Sequence, residues 1–160
     1  MKVPKPVKVS IKKLKNEYDF IFSWYVRLVD ARSDGLVECF TCGKAFTPID
    51  IQAGHYWSRT HSIIRWHEAN VKPQCKNCNC SIYGKGKPQE FALHLTELYG
   101  GKVLTELEDL KKVPCKMKSW ELQEKIALYK DKVEQLLYNR LYNRPSIQIS
   151  KKLEKYLNGG

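Results

Sequence analysis

Residues 39–79 read CFTCGKAFTPIDIQAGHYWSRTHSIIRWHEANVKPQCKNCN, and this stretch decides the fold of the 160-residue chain. It contains two Cys-x-x-Cys pairs separated by 32 residues: Cys39 with Cys42, and Cys75 with Cys78. Two residues between cysteines let both sulfurs turn toward one point, so four thiolates at this spacing predict one tetrahedral zinc site. The alternative is a set of reduced thiols in the core. Structural zinc modules usually have about 15 to 20 residues between the pairs, so the longer insert has room for an element of its own.

We predict that this insert is a β-hairpin. Apolar and polar residues alternate over residues 49–57, which indicates a strand with His55 on its apolar face. A second short strand over residues 63–66 is predicted to pair with the first, and Asn70 follows it. Asn79 comes directly after the fourth cysteine, where we expect a helix to begin. Closure by zinc then brings His55 and Asn79 to facing positions.

A buried histidine that faces an oxygen ligand suits metal-assisted hydrolysis of a phosphodiester. With an ordinary pKa of about 6.5, neutral imidazole can take a proton from water near neutral pH. A divalent cation can meanwhile bind the scissile phosphate and offset charge on the leaving oxygen. The simpler alternative is that His55 is only packed in the core.

Several blocks of the sequence resemble a known family. They are AGHYWSR, IRWHEANV and QCKNCN within residues 39–79, YVRLVDARSDGLVECFTCGK overlapping its start and FALHLTELYG after it. In this order they resemble the HNH-type, ββα-metal endonucleases, and most closely the phage recombination nuclease family NinG, also called Rap. The resemblance covers roughly residues 10–140.

The resemblance implies an α+β fold with a small zinc-stapled ββα-metal core of the His-Me finger, or HNH, class, flanked by long N- and C-terminal helices. It implies that His55 is the general base and that Asn70, the middle residue of the HNH triad, holds the hairpin in shape. Asn79 would bind a catalytic Mg²⁺ or Mn²⁺, and the four cysteines a structural zinc. The expected substrates are branched recombination intermediates such as Holliday junctions and D-loops, in a phage or prophage setting.

One position departs from the family pattern. Related junction-cleaving nucleases with this zinc arrangement place an acidic metal ligand immediately before the histidine, whereas this chain has Gly54. Asn79 is then the one firm protein ligand, with water and phosphate completing the shell as Mg²⁺ tolerates. The alternative is that Asp50 or Gln52 reaches the metal.

Basic residues in and after the insert are candidates for contact with DNA. Arg59 and Arg65 offer fork-shaped donors for phosphate oxygens. Lys85 and Lys87 lie in the basic glycine loop SIYGKGKP, which lacks the spacing of a P-loop and so does not indicate ATP binding. The alternative for each of these residues is an ordinary exposed cation.

The charge of the chain indicates a polyanionic partner. Lysine and arginine number 28 against 17 aspartates and glutamates, which gives a net charge of +11. Residues 1–15 hold six lysines and no acid, and residues 55–88 hold six basic residues against one glutamate. Charge of this size drives salt-sensitive binding to phosphates. The alternative is that it serves solubility alone.

The rest of the chain is predicted to form helices around this core. We expect a basic extended arm over residues 1–9, a nuclease domain over residues 10–142 with its zinc-stapled core at 36–99, and a tail over residues 143–160 with a short helix at 147–157. Apolar periodicity predicts further helices over residues 11–31, 88–99, 105–111 and 119–142, the first capped by Ser10. The two long helices either pack antiparallel within one chain or pair between chains as a homodimer.

The sequence also bears on the cellular setting. It has no run of 18 apolar residues and no cleavable leader, which indicates a cytosolic protein without a membrane segment. Cys80 and Cys115 lie outside the two pairs and are expected to be free thiols. His61 and His67 either contact DNA or are ordinary exposed residues, and recruiting phage or host proteins are not identifiable.

The rival function is a non-catalytic, zinc-stabilised DNA-binding module, which the same cysteines and charge would serve.

Overall fold

The computed structural model describes residues 9–80, 86–143 and 147–159 of the chain. Within these ranges the fold is α+β, as predicted, with six helices and two two-stranded sheets. The helices are α1 (Ile11–Val29), α2 (Lys76–Asn79), α3 (Pro88–Tyr99), α4 (Val103–Lys112), α5 (Ser119–Asn143) and α6 (Lys151–Leu157). The strands are β1 (Val37–Glu38), β2 (Ala45–Phe46), β3 (Gln52–His55) and β4 (Val71–Gln74). None of the helices described in these ranges is long and apolar enough to span a membrane.

Helix α1 begins where the sequence predicts. The Oγ atom of Ser10 accepts a hydrogen bond from the backbone N–H of Lys13 (3.3 Å), so Ser10 is the N-cap. Most apolar residues of this helix are buried, among them Phe22, Trp24 and Val26, whereas Ile11 at its start and Val29 at its end are exposed. Burial on more than one side follows from its position, because α1 contacts β3 and β4 as well as α5.

Helices α1 and α5 share a core built from aromatic rings. The ring centroid of Tyr129 on α5 lies 5.6 Å from that of Tyr18, 5.0 Å from that of Phe22 and 4.9 Å from that of Tyr25. Two of these contacts are edge-to-face, the arrangement that aromatic quadrupoles favour. The two long helices therefore pack against each other within one chain.

The two long helices run in the same general direction. Leu14 near the start of α1 lines a groove with Ile126 near the start of α5. Further along both helices, the Lys132 ammonium lies 4.9 Å from the Tyr25 ring. The prediction of antiparallel packing is therefore wrong. A short connection would have favoured antiparallel packing, whereas here residues 30–118 lie between the helices and leave their relative direction free.

Two antiparallel sheets surround the cysteines. The β1–β2 hairpin, with Val37 opposite Phe46, carries the first cysteine pair in its loop. In the second sheet Gln52 of β3 lies opposite Gln74 of β4, and His55 lies opposite Val71. The backbone N–H of Phe40 donates to the carbonyl of Pro73 (2.7 Å), which connects the first cysteine loop to β4 just before the second pair.

Residues 63–66 form turns rather than the predicted second strand, and the partner of β3 is β4 instead. The Ile64 side chain is completely buried in a cluster with residues of α3 and α4. Its carbonyl accepts a hydrogen bond from Nδ2 of Asn70 (3.0 Å). Burial of the Ile64 side chain and its backbone hydrogen bond with Asn70 stabilise this segment as a loop rather than as a strand.

Other boundaries differ from the prediction by local causes. Strand β3 is shorter than expected because Thr47 and Asp50 form a hydrogen-bonded turn before it. Helix α2 ends at Asn79 rather than beginning there. Helix α6 begins after Ser150, whose Oγ caps it. The predicted arm lies outside the described residues, apart from Val9.

We predict that Ile21→Ala lowers the free energy of unfolding by about 2 to 5 kcal/mol, because the Ile21 side chain is fully buried on α1 and its removal leaves a cavity. Urea denaturation followed by circular dichroism measures the change. Leu128→Ala on α5 is the control, since Leu128 is 44% exposed and should change the free energy little. Equal losses in the two variants would contradict the packing described.

Candidate functional site

The four cysteines of the two Cys-x-x-Cys pairs form one cluster, as predicted. Their Sγ atoms all lie within 4.8 Å of one another, and Cys42 Sγ is 3.9 Å from Cys75 Sγ. A tetrahedral site with zinc–sulfur bonds of about 2.3 Å places its sulfurs about 3.8 Å apart. The cluster can therefore hold a metal ion such as zinc with little rearrangement.

Burial of the cluster disfavours thiolates whose charge no cation offsets. Burial raises the pKa of the Cys42 and Cys78 thiols above its ordinary value. Burial also acts on Cys39, but backbone N–H groups of Cys75, Cys42 and Thr41 outweigh it and bring the pKa of that thiol to about 7. Without a cation most of these thiols stay protonated, whereas a metal offsets their negative charge. Cys80 and Cys115 are free thiols, as expected.

His55 and Asn79 line the same cleft, next to the cysteine cluster. His55 is the last residue of β3 and Asn79 the last residue of α2, so two separate elements deliver them. The cleft has a volume of about 210 Å³, and its described lining residues are His55, Tyr56, Gln74, Cys78, Asn79, Gly86, Lys87, Pro88 and Phe91. A larger cavity of about 590 Å³ beside Lys72 and His94 has neither His55 nor Asn79 among its lining residues. We regard the smaller cleft as the candidate site because it holds the two predicted side chains together.

The His55 ring is fixed by a backbone carbonyl. Its Nε2 atom lies 3.0 Å from the carbonyl oxygen of Arg65. Because a carbonyl only accepts, the neutral ring carries its proton on Nε2 and leaves Nδ1 with a lone pair. Burial lowers the pKa of His55 below its ordinary value, and the backbone groups of Arg65 and Ala53 and the charge of Asp19 offset only part of this effect. The ring is therefore a neutral proton acceptor at neutral pH.

Asn70 holds the loop between β3 and β4 in shape. The residue is completely buried, and its Oδ1 accepts a hydrogen bond from the backbone N–H of Trp57 (2.8 Å). Its Nδ2 donates to the carbonyls of Trp57 and Ile64, both at 3.0 Å. One side chain thus fixes both arms of the loop that carries the Arg65 carbonyl.

Asn79 is oriented by Gln52, one of the two residues considered as extra metal ligands. Nδ2 of Asn79 donates to Oε1 of Gln52 (2.9 Å), which leaves Oδ1 of Asn79 as the acceptor end of the amide. Asp50, the other alternative, is exposed and accepts a hydrogen bond from Oγ1 of Thr47 (2.7 Å) in the turn before β3. Gln52 therefore contacts Asn79, and neither Gln52 nor Asp50 is among the described lining residues of the cleft.

Arg65, a predicted DNA contact, forms an ion pair with an acidic residue of α1. Its guanidinium forms a bidentate ion pair with the carboxylate of Asp19, with Nε 2.8 Å from Oδ1. Nε1 of Trp66 donates to the same Oδ1 (2.9 Å), and the Trp66 ring stacks on Tyr18 with 4.4 Å between centroids. This network ties the loop to α1 at the residue whose carbonyl holds His55. The donors of the Arg65 guanidinium are thus engaged within the protein, which leaves fewer of them to bind a phosphate group.

The other predicted DNA contacts differ in placement. Arg59 is exposed on the loop after β3. Lys87 is exposed at the edge of the cleft, with its ammonium 3.8 Å from a carboxylate oxygen of Glu90. Lys85 lies outside the described residues. His67 is exposed and His61 is half-buried, and neither lines the cleft.

Sequence reasoning missed two residues around the cleft, Gln74 and Asp19. Gln74 lines it directly, whereas Asp19 acts from α1 through Arg65. The sequence signal that could have indicated Gln74 is Gly54, which precedes His55. A glycine leaves space that the side chain of a neighbouring residue can fill. No pattern in the sequence pairs Asp19 with Arg65, which is 46 residues away.

The fold and the site define a small α+β protein in which four cysteines that can hold a metal ion lie beside a cleft lined by histidine and amide side chains. Residues 3–138 match the family model described as bacteriophage lambda NinG protein. The chain therefore belongs to the NinG family. No curated protein matches the chain significantly, and no solved structure does.

We predict that the wild-type chain binds one zinc ion and that Cys75→Ser loses it, because three thiolates and a hydroxyl are a much weaker ligand set. Metal content measured by mass spectrometry, together with thermal unfolding, checks both points. Cys80→Ser is the matched control, since Cys80 is exposed and outside the cluster. Retention of zinc by Cys75→Ser would contradict the assignment of this cluster.

We predict that the His55 ring titrates with a midpoint below the ordinary pKa of 6.5. As the pH falls through the ordinary pKa, the unfolded chain takes up a proton at this residue before the folded chain does. The contribution of His55 to the free energy of unfolding is therefore present above pH 6.5 and is lost as the pH falls below it. NMR titration of the imidazole measures the midpoint, with His55→Gln identifying the signal. A midpoint above 6.5 would contradict the burial described.

Proposed function

We propose that this chain is a metal-dependent DNA endonuclease of the HNH type, which hydrolyses phosphodiester bonds in branched recombination intermediates. The observation that carries the proposal is that His55 and Asn79 line one cleft beside the cysteine cluster. Membership of the NinG family supports a phage setting inside a bacterial cytoplasm. The net charge of +11 supports a polyanionic partner.

In this proposal His55 is the general base. Its Nε2 is engaged with the Arg65 carbonyl, so Nδ1 takes the proton from the attacking water. Burial favours the neutral ring, which keeps the base ready at neutral pH. Asn70 is a positioning residue, because it fixes the loop that holds the Arg65 carbonyl against the ring.

Asn79 is the proposed protein ligand of a catalytic Mg²⁺ or Mn²⁺. The donor set fits a hard cation, because Nδ2 of Asn79 is engaged with Gln52 and the amide oxygen is left for the cleft. A divalent cation bound there supplies positive charge against the phosphate and the leaving oxygen. Gln52 holds the amide in one orientation, and the neighbouring cysteine cluster holds α2 in place with a structural zinc.

DNA would approach the cleft, with Arg59 and Lys87 as its proposed contacts. Both side chains are exposed, and Lys87 borders the cleft itself. Their contacts with phosphate would position the substrate rather than read its sequence. A homodimer would suit symmetric cutting of a four-way junction, and the exposed side chains of Trp120 and Tyr138 on α5 leave apolar surface for it.

A second function is favoured by one feature of the cleft. No aspartate or glutamate is among its described lining residues, whereas catalytic Mg²⁺ sites usually include a carboxylate. A non-catalytic, zinc-stabilised DNA-binding module needs no such ligand. The two functions differ in whether DNA is cut, so cleavage decides between them.

We predict that His55→Ala lowers the rate of DNA cleavage by about a hundredfold to ten-thousandfold, because the general base is lost. The assay uses linear, nicked and four-way DNA with Mg²⁺ or Mn²⁺, and DNA binding and thermal unfolding are measured alongside. His67→Ala is the control, since His67 is exposed and does not line the cleft.

The outcome separates the two functions. Cleavage by the wild type and by His67→Ala, with normal folding and DNA binding but little cleavage by His55→Ala, supports the nuclease. If the wild type binds these DNAs but leaves all of them intact with either ion, the DNA-binding module is correct.

A further inference from the structure

The side chain of Gln74 occupies the space that a side chain at position 54 would take. A Cβ atom added to Gly54 would lie 1.9 Å from Oε1 of Gln74, 2.6 Å from its Cδ and 2.9 Å from its Cγ. At contacts below 3.0 Å one group must move, so a side chain at position 54 would displace the Gln74 amide from this place. The absence of a side chain at Gly54 and the position of the Gln74 amide therefore depend on each other.

The Gln74 amide is held in one orientation. The residue is only 3% exposed, and its Nε2 donates to Oγ1 of Thr41 (2.6 Å). Thr41 is itself buried in the loop of the first cysteine pair. The donor half of the amide is thus engaged, and no donor among the described residues hydrogen-bonds Oε1. Within the described ranges the acceptor half is thus left for a ligand in the cleft that Gln74 lines.

Asn79 repeats this arrangement in the same cleft. Its Nδ2 is engaged with Gln52, and its Oδ1 is the remaining acceptor. The cleft therefore contains two amide groups, each anchored through its nitrogen and each left with a carbonyl oxygen. Side-chain carbonyl oxygens are ligands that hard divalent cations accept.

We propose that Oε1 of Gln74 takes the place of the acidic ligand missing at Gly54, so that Gln74 and Asn79 form an uncharged pair of oxygen ligands for the divalent cation. This inference rests on the proposed function, since the cation is the one that catalysis would use. Affinity at such sites depends on the charge of the ligands. A neutral pair holds the cation weakly before DNA arrives, and the negative phosphate of the substrate completes the site.

The test measures Mn²⁺ binding to the zinc-loaded full chain without DNA, from the electron paramagnetic resonance signal of free Mn²⁺. Gln74→Glu keeps the length of the side chain and charges the oxygen, while the Thr41 hydroxyl can turn to donate to it. We expect this variant to bind Mn²⁺ at least about tenfold more tightly. Gln74→Met keeps the bulk without the oxygen and should bind Mn²⁺ more weakly than the wild type.

Two controls make the result specific. Gln123→Glu adds the same charge on the exposed side of α5 and should leave Mn²⁺ affinity unchanged. Asn79→Ala removes the other proposed ligand and should weaken binding. Thermal unfolding of each variant establishes that it is folded.

Moving the oxygen ligand from position 74 on β4 to position 54 on β3 gives an independent test of the proposed metal site. Gly54→Asp alone should displace the Gln74 amide, because its Cβ meets the Gln74 side chain. Gly54→Asp combined with Gln74→Ala removes the clash and returns a carboxylate to β3. We expect this double variant to be folded and to bind Mn²⁺ more tightly than the wild type.

The possible results distinguish this inference from the proposed function. If Asn79→Ala weakens Mn²⁺ binding but both Gln74 variants bind like the wild type, the inference is overturned and the nuclease proposal stands. A gain in Gln74→Glu no larger than that in Gln123→Glu also overturns it. Failure of the wild type to cut any DNA would remove the nuclease proposal, whereas the role of Gln74 is decided by the binding measurements alone.

Discussion

Closure of a long loop by four cysteines is the constraint on which the rest of this structure depends. Their sulfurs gather within 4.8 Å, although 32 residues separate the two pairs. Closing a loop of this length costs about 3 kcal/mol of chain entropy, whereas zinc binding by such ligands releases about 10 to 16 kcal/mol. A bound zinc would therefore offset the cost several times over. The surplus can hold β3, β4 and α2 in the one arrangement that places His55 and Asn79 along a common cleft.

Helix α1 supplies the second support of the cleft. Asp19 accepts hydrogen bonds from Arg65 and Trp66, and the Arg65 carbonyl in turn holds the His55 ring. Asn70 holds the same loop from inside through three hydrogen bonds. The position of the imidazole is thus set by groups on both sides of the loop. Arg65, which the sequence predicts as a DNA contact, thus also has a structural role within the protein.

The sequence predicts the parts of this fold that depend on local patterns. Cysteine spacing predicts the clustering of the four thiols, and apolar periodicity with Ser10 as a cap predicts α1. The strand pairing could not be predicted, because burial of Ile64 among distant helices overrides its tendency to form a strand. The direction of α5 against α1 and the position of Gln74 over Gly54 are likewise set by contacts between distant residues. Contacts between residues that are distant in sequence produce no periodic pattern that a single sequence could reveal.

Hydrogen–deuterium exchange of the full chain, with zinc bound and after a chelator removes it, tests whether the cysteine cluster holds the cleft together. We expect the backbone amides of β3, β4 and α2 to lose most of their protection without zinc, while the buried middle of α1 and of α5 keeps more of it. That result would show that the cysteine cluster organises the cleft. Unchanged protection of β3 and β4 in the zinc-free chain would contradict the account, because the cleft would then be held by packing alone.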